Sequence, residues 1–177
     1  ELTKLVPLET PAKGHGKEGV YGIFEQVLAN SVVTWHPGFL DKLYASTNPI
    51  GVVSDLLLSL LNTNSHVYTV SPILTLIEKK VAHSYAELFG YTGPHAGGLT
   101  FSGGSWSNIT SLHIARSTLF PQTKVGGNEG FKFAVYTSKH SHYSVEKAAI
   151  LLGLGSGNVF KVEIDSKGVM DPVEPAG

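Results

Sequence analysis

The sequence predicts an α/β protein that begins with helices and continues as alternating strands and helices. Three observations carry this expectation. Apolar residues recur at helical spacing up to Gly90; short apolar runs alternate with helical stretches from residue 97; and Phe101–Asn108 and Thr137–Ser144 each run from a strand through a glycine- or serine-rich turn into a helix.

Taken in order, residues 1–16 read as an irregular lead-in, with glycines and prolines set among charges. Val20, Ile23, Phe24, Val27 and Leu28 share one helical face and predict a helix over 17–31. The aromatic, turn-rich stretch Trp35–Tyr44 is read as a loop. Pro49 suits the first position of a helix through Val53, Leu56, Leu57 and Leu60, ending near Asn62–Asn64. Ser71-Pro72 opens a third helix, expected to bury Leu74, Ile77, Val81, Tyr85 and Leu88 and to stop at Gly90. Beyond it the pattern predicts a strand at 98–102, a helix at 105–119, a strand at 132–138, a helix at 144–153 and a strand at 158–164, with a turn at Asp165–Gly168. The expected organisation is lead-in 1–16, an N-terminal helical segment 17–96 and an incomplete large α/β domain 97–177.

Composition narrows the function. A net charge of −1 over 177 residues argues against a nucleic-acid or membrane surface, either of which would show a basic stripe. With 42% hydrophobic and only 15% charged residues, the chain can form a core and is expected to have some surface covered by a partner. It contains no cysteine, which removes disulfides, thiolate metal sites and a cysteine nucleophile. The first residues carry no apolar run of the signal type, so a cytoplasmic protein is expected; Glu at position 1 reads as the start of a trimmed chain.

Two turns carry chemistry. In Phe101-Ser-Gly-Gly-Ser-Trp-Ser-Asn108, Gly103 and Gly104 sit where a strand gives way to a helix, so main-chain N–H groups and the positive helix end face one small volume suited to an anion. Ser105 or Ser107 can add a hydroxyl; the alternative is a tight turn with a serine cap, and the Gly-Lys-Ser/Thr ending of a nucleotide-binding loop is absent. His140-Ser-His142 follows the next strand, at the edge where open α/β sheets place ligands. An imidazole there could stack on a flat ring or bond to the turn; without a nearby carboxylate companion no metal site is expected.

The order His36-Pro37, Asn62-Thr63-Asn64, Ser71-Pro72, Ser102–Ser105 with Asn108 and Ala115-Arg116, then Thr137-Ser138 and Ser141–Ser144 resembles the group II pyridoxal-phosphate-dependent amino-acid decarboxylases, nearest the glutamate and cysteine-sulfinate branch. The likeness runs from about Gly19 to Pro172. It implies the N-terminal and early large-domain part of a type I pyridoxal-phosphate transferase fold, and a lyase of amino-acid metabolism. It further implies pyridoxal phosphate as cofactor, with its phosphate held at Gly103, Gly104 and Ser105 and its ring stacked on His142, the catalytic candidate. Lys42, Leu43 and Tyr44 match the loop that reaches the substrate side chain, where Lys42 could pair with an acidic group.

The family's Schiff-base lysine and the aspartate facing the pyridine nitrogen lie beyond the stretch matched here, and neither Lys139 nor Lys147 has the setting of that lysine. The chain is therefore expected to be a truncated or split portion that acts on a small-molecule substrate only with a complementing chain or as a homo-oligomer, a dimer in the family. The strand at 98–102 would not neighbour that at 132–138, so its edges would lack partners. The alternatives are a truncated scaffold reused for cofactor-independent chemistry and a non-catalytic module pairing with a full-length relative.

Overall fold

The structure is a computed structural model that describes residue 5, residues 11–40, residue 43 and residues 46–171. The chain divides into two compact units, residues 1–64 and 65–177. The first holds helices α1 (Gly16–Asn30) and α2 (Pro49–Leu61). At the start of α2 the Asn48 side-chain oxygen accepts hydrogen bonds from the N–H groups of Ile50 at 2.8 Å and Gly51 at 3.3 Å, satisfying donors that the first turn cannot pair. Asn62 ends the helix in the left-handed conformation (φ 47°), its N–H donating to the Leu58 oxygen at 2.9 Å. Neither helix buries a residue: the stripe Val20, Phe24, Val27 on α1 and Val53, Leu57, Leu60 on α2 stay exposed.

The second unit contains α3 (Pro72–Leu88), α4 (Gly104–Leu119), the short α5 (Thr123–Gly126), β1 (Val135–Ser138), α6 (Ser144–Leu151) and β2 (Val159–Val162). Strands β1 and β2 pair in parallel, Val135 opposite Val159 and Ser138 opposite Val162, with α6 in the connection between them. Helices α4 and α6 pack on each other. Ala148 and Ala149 are wholly buried on α6, and Leu154 and Val162 extend the core beneath them. Alanines at a helix contact let the two backbones approach closely, which sets the spacing of everything carried at the α4 and α6 starts.

Several expected details are corrected. Residues 98–102 form no strand, and among the described residues they pair with none. A strand needs a ladder neighbour, and among the described residues this segment has none; instead the N–H and hydroxyl of Thr100 both donate to Glu78 Oε1 on α3, at 3.1 and 2.6 Å. The buried residues of α3 are Ala82 and Ala86, while Ile77, Val81, Tyr85 and Leu88 remain exposed. The segment after α3 passes close to Ala82, so that a Cβ on Gly98 would lie 3.7 Å from that of Ala82, and an open apolar hollow of about 630 Å³ remains among Val81, Tyr85, Phe89 and Leu99. The second strand starts at Val135 because Phe131 and Phe133 turn onto Phe120, with ring centroids 5.4 and 5.2 Å from it.

Candidate functional site

The first corner of the site is the start of α4. Gly103 precedes the helix with φ 112° and ψ 145°, a conformation open to glycine and strained for any residue with a Cβ. Its carbonyl accepts from Trp106 N at 3.1 Å and Ser107 N at 3.4 Å, which leaves the N–H groups of Gly104 and Ser105 without a main-chain acceptor. A Cβ built on Gly103 or Gly104 would meet nothing within 4 Å. The corner therefore combines unpaired donors, the positive end of a sixteen-residue helix and open space above the backbone.

The second corner lies between β1 and α6. Ser138 ends the strand and tightens the turn, its carbonyl accepting from Ser141 N at 2.9 Å and its hydroxyl from His140 N at 3.2 Å. His142 Nδ1 then meets both the hydroxyl of Ser144, at 2.8 Å, and the Ser144 N–H, at 3.2 Å. Ser144 is almost completely buried. Its hydroxyl accepts from Asn108 Nδ2 at 2.8 Å, and Asn108 stands one turn into α4 from Gly104. The glycine corner and the imidazole are thus tied together through Asn108 and Ser144. The His142 ring, itself exposed, lies against Tyr143 with centroids 4.1 Å apart and planes 33° from parallel. Lys147 Nζ sits over the other aromatic, 4.5 Å from the Tyr143 centroid.

The remaining candidates fall elsewhere. Leu43 is fully exposed, and Lys42 and Tyr44 lie outside the described residues. Lys139 is engaged by both carboxylate oxygens of Glu163, at 2.8 and 2.9 Å. His83 bridges the Ala96 oxygen, at 3.0 Å, and Glu87, at 3.2 Å, and His113 meets Arg116 at 3.2 Å, so both histidines have structural partners. Trp106, two residues into α4 from Gly104, is exposed. Among the described residues no group of three metal-ligating side chains comes together, and no helix is long and apolar enough to cross a membrane. Sequence reasoning gave no role to Asn108 or Ser144; their positions, four residues after Gly104 and two after His142, are the signal that could have found them.

Chemically, the arrangement offers anion-binding donors at one corner and a flat, oriented ring at the other. Comparisons with known proteins bear on what would use both. The family model described as the pyridoxal-dependent decarboxylase conserved domain matches residues 1–176. Over 90% of its length the chain is 47% identical to an L-aspartate decarboxylase of Metarhizium robertsii, of which it covers 32%. It is 33% identical to the cysteine sulfinic acid decarboxylase of Rattus norvegicus, over 97% of this chain and 35% of that one. The crystal structure of mouse CSAD superimposes with a TM-score of 0.89 at 32% identity, covering 97% of this chain and 36% of that one. The chain thus spans about a third of the length of the relatives it matches.

Proposed function

The chain belongs to the pyridoxal-dependent decarboxylase family, and we propose that it is the portion of such an enzyme that holds the cofactor phosphate and orients the cofactor ring for loss of CO₂ from an acidic α-amino acid. The observation that carries this reading is the joining of the Gly103–Gly104 corner to His142 through Asn108 and Ser144. A phosphorylated flat ring needs those two features within one molecule's reach. The acidic substrate class rests on the relatives, named for aspartate and for cysteine sulfinic acid.

The residues present fit the group. Gly104 and Ser105 supply N–H donors, and Ser105 a hydroxyl, beside space that a Cβ would otherwise enter. Main-chain donors at a helix start suit a phosphate because no reorganisation is needed when the charge arrives. His142 supplies a ring whose plane is set from one side by Tyr143 and from its Nδ1 edge by Ser144. When bound, the cofactor supplies the electron sink for the pair released as the carboxylate departs. Holding the ring plane steady lets the scissile bond be presented at a right angle to that plane, and His142 would do this holding. Lys42, with Leu43 and Tyr44, is the proposed contact to the acidic substrate side chain.

Under this reading residues 17–96 are the N-terminal helical segment and 97–177 the early part of the large domain. The exposed apolar stripes of α1 and α2 support a second chain, or a complementing portion, as their cover. Titrating the chain with pyridoxal phosphate, followed by cofactor fluorescence and repeated with His142→Ala, tests the reading. Saturable binding weakened by the substitution is expected; binding indifferent to His142 overturns it.

A further inference from the structure

The hydrogen bonds at His142 go further than the stacking role and tie its ring to two other residues. A main-chain N–H can only donate, so the Ser144 N–H facing Nδ1 at 3.2 Å makes Nδ1 an acceptor. The Ser144 hydroxyl, 2.8 Å from the same nitrogen, must then give its single hydrogen to Nδ1 as well. That hydroxyl is free to do so because it receives a hydrogen from Asn108 Nδ2 at 2.8 Å. With the amide turned the other way, Ser144 would have to donate to both Asn108 and His142, and it has one hydrogen to give. The chain of donors therefore runs one way, from Asn108 through Ser144 to His142.

We infer that Asn108 and Ser144 are positioning residues that orient His142 in the form with its hydrogen on Nε2 and tie its ring to the start of α4. In this form the ring offers a donor, not a base, to whatever binds beside it. Ser144 is 1% exposed and opens α6, while Asn108 sits in α4, and the two helices pack on each other. The link is therefore as rigid as the helix pair. Ligand binding at the glycine corner and ring orientation at His142 share it, so a change at Asn108 reaches both.

The inference concerns the cofactor-free chain first and rests on the decarboxylase reading only for its consequence in cofactor binding. Asn108→Asp tests it with almost no change of shape. A carboxylate accepts and cannot donate, so it draws the Ser144 hydrogen toward itself and leaves Nδ1 of His142 with the Ser144 N–H as its one donor. In the ¹⁵N-labelled chain without cofactor, long-range imidazole correlations at pH 8 are expected to show the Nε2–H form for the unsubstituted protein. With Asn108→Asp the ring should keep Nε2–H while its Nδ1 resonance moves, because the hydroxyl hydrogen no longer reaches it, and with Ser144→Ala added the Nδ1 resonance should match that of Ser144→Ala alone because the link is cut. Pyridoxal phosphate affinity, read by fluorescence, is expected to fall about tenfold in Asn108→Asp. An unsubstituted chain with Nδ1 protonated, or an Asn108→Asp spectrum identical to it, overturns the inference. Failure of the unsubstituted chain to bind pyridoxal phosphate would instead sink the decarboxylase reading, with the spectra still deciding the link. Ser144→Ala alone, which keeps a good helix former at the first position of α6, supplies the same decision if the double variant does not fold: its ring should keep Nε2–H yet lose order, and an unchanged ring order would overturn the inference.

Discussion

Arg116 Nη1, in the last turn of α4, donates to the main-chain oxygen of Leu152 at 2.9 Å, just past the end of α6. The same nitrogen reaches Asn128 Oδ1 at 3.1 Å, and Asn128 Nδ2 donates to the Leu152 oxygen at 2.7 Å. One guanidinium thus closes the far end of the helix pair whose near end carries Asn108 and Ser144.

Arg116→Ala is accordingly expected to destabilise the protein by about 2 kcal/mol, the range for charged hydrogen bonds lost with partners left behind. Lysine at this position should recover little, since its single nitrogen cannot replace both Nη1 and the Nη2 that meets His113 at 3.2 Å. Urea unfolding midpoints check both; equal stability of the alanine and original proteins would count against the closure.

The two glycines of the α4 corner are expected to separate stability from binding. At Gly103, with φ 112°, an alanine is strained whatever the free space, and a loss of about 1–3 kcal/mol is expected. At Gly104, inside the helix and facing open space, alanine should leave thermal stability unchanged or slightly raised. It should nonetheless weaken pyridoxal phosphate binding, because its methyl group occupies the space proposed for the phosphate. Parallel melting curves and cofactor titrations would expose the contrast, and a Gly104→Ala protein that binds normally would move the phosphate elsewhere.

His142→Ala is expected to weaken pyridoxal phosphate binding by about tenfold, in keeping with about 1.4 kcal/mol for a lost ring contact. His140→Ala should change it less than twofold, since only the main-chain N–H of His140 is tied into the turn. Equal losses in the two titrations would count against the stacking role.

The α/β class and the family were legible because they rest on local signals: Pro49 and Asn62 bound α2 where the sequence placed its ends, and the glycine turn before α4 needs only its own backbone. The strand at 98–102 was misread because pairing is non-local, and Thr100 finds Glu78 in place of a ladder neighbour. The face of α3 was misread for a similar reason: spacing identified an apolar stripe, but the residues buried are Ala82, which the Gly98 segment approaches, and Ala86. At the site, the types and order of Gly104, Ser105 and His142 were visible, while the link through Asn108 and Ser144 was not, because it joins residues on two helices that only packing brings together.

The contact between Thr100 and Glu78 should make the segment after α3 sensitive to acid. Hydrogen bonds from the Thr100 hydroxyl, and then from its N–H, favour the ionised carboxylate and hold Glu78 below the usual glutamate range. A carboxyl depressed in the folded state contributes stability that is fully present above its unfolded value and is lost as pH falls through its folded one. Hydrogen exchange of the Thr100 amide, corrected for the intrinsic dependence of exchange on pH, is therefore expected to show protection that is constant near neutrality and declines several-fold once pH drops below about 4. Glu78→Gln should lower protection at pH 6 and flatten the decline, since the amide accepts more weakly and does not titrate. Because both partners are largely solvent-facing, the effect belongs to this segment and the global unfolding midpoint should barely move. A Thr100 amide equally protected at pH 6 and below pH 4, or unaffected by Glu78→Gln, would show that the carboxylate does not hold the segment in place.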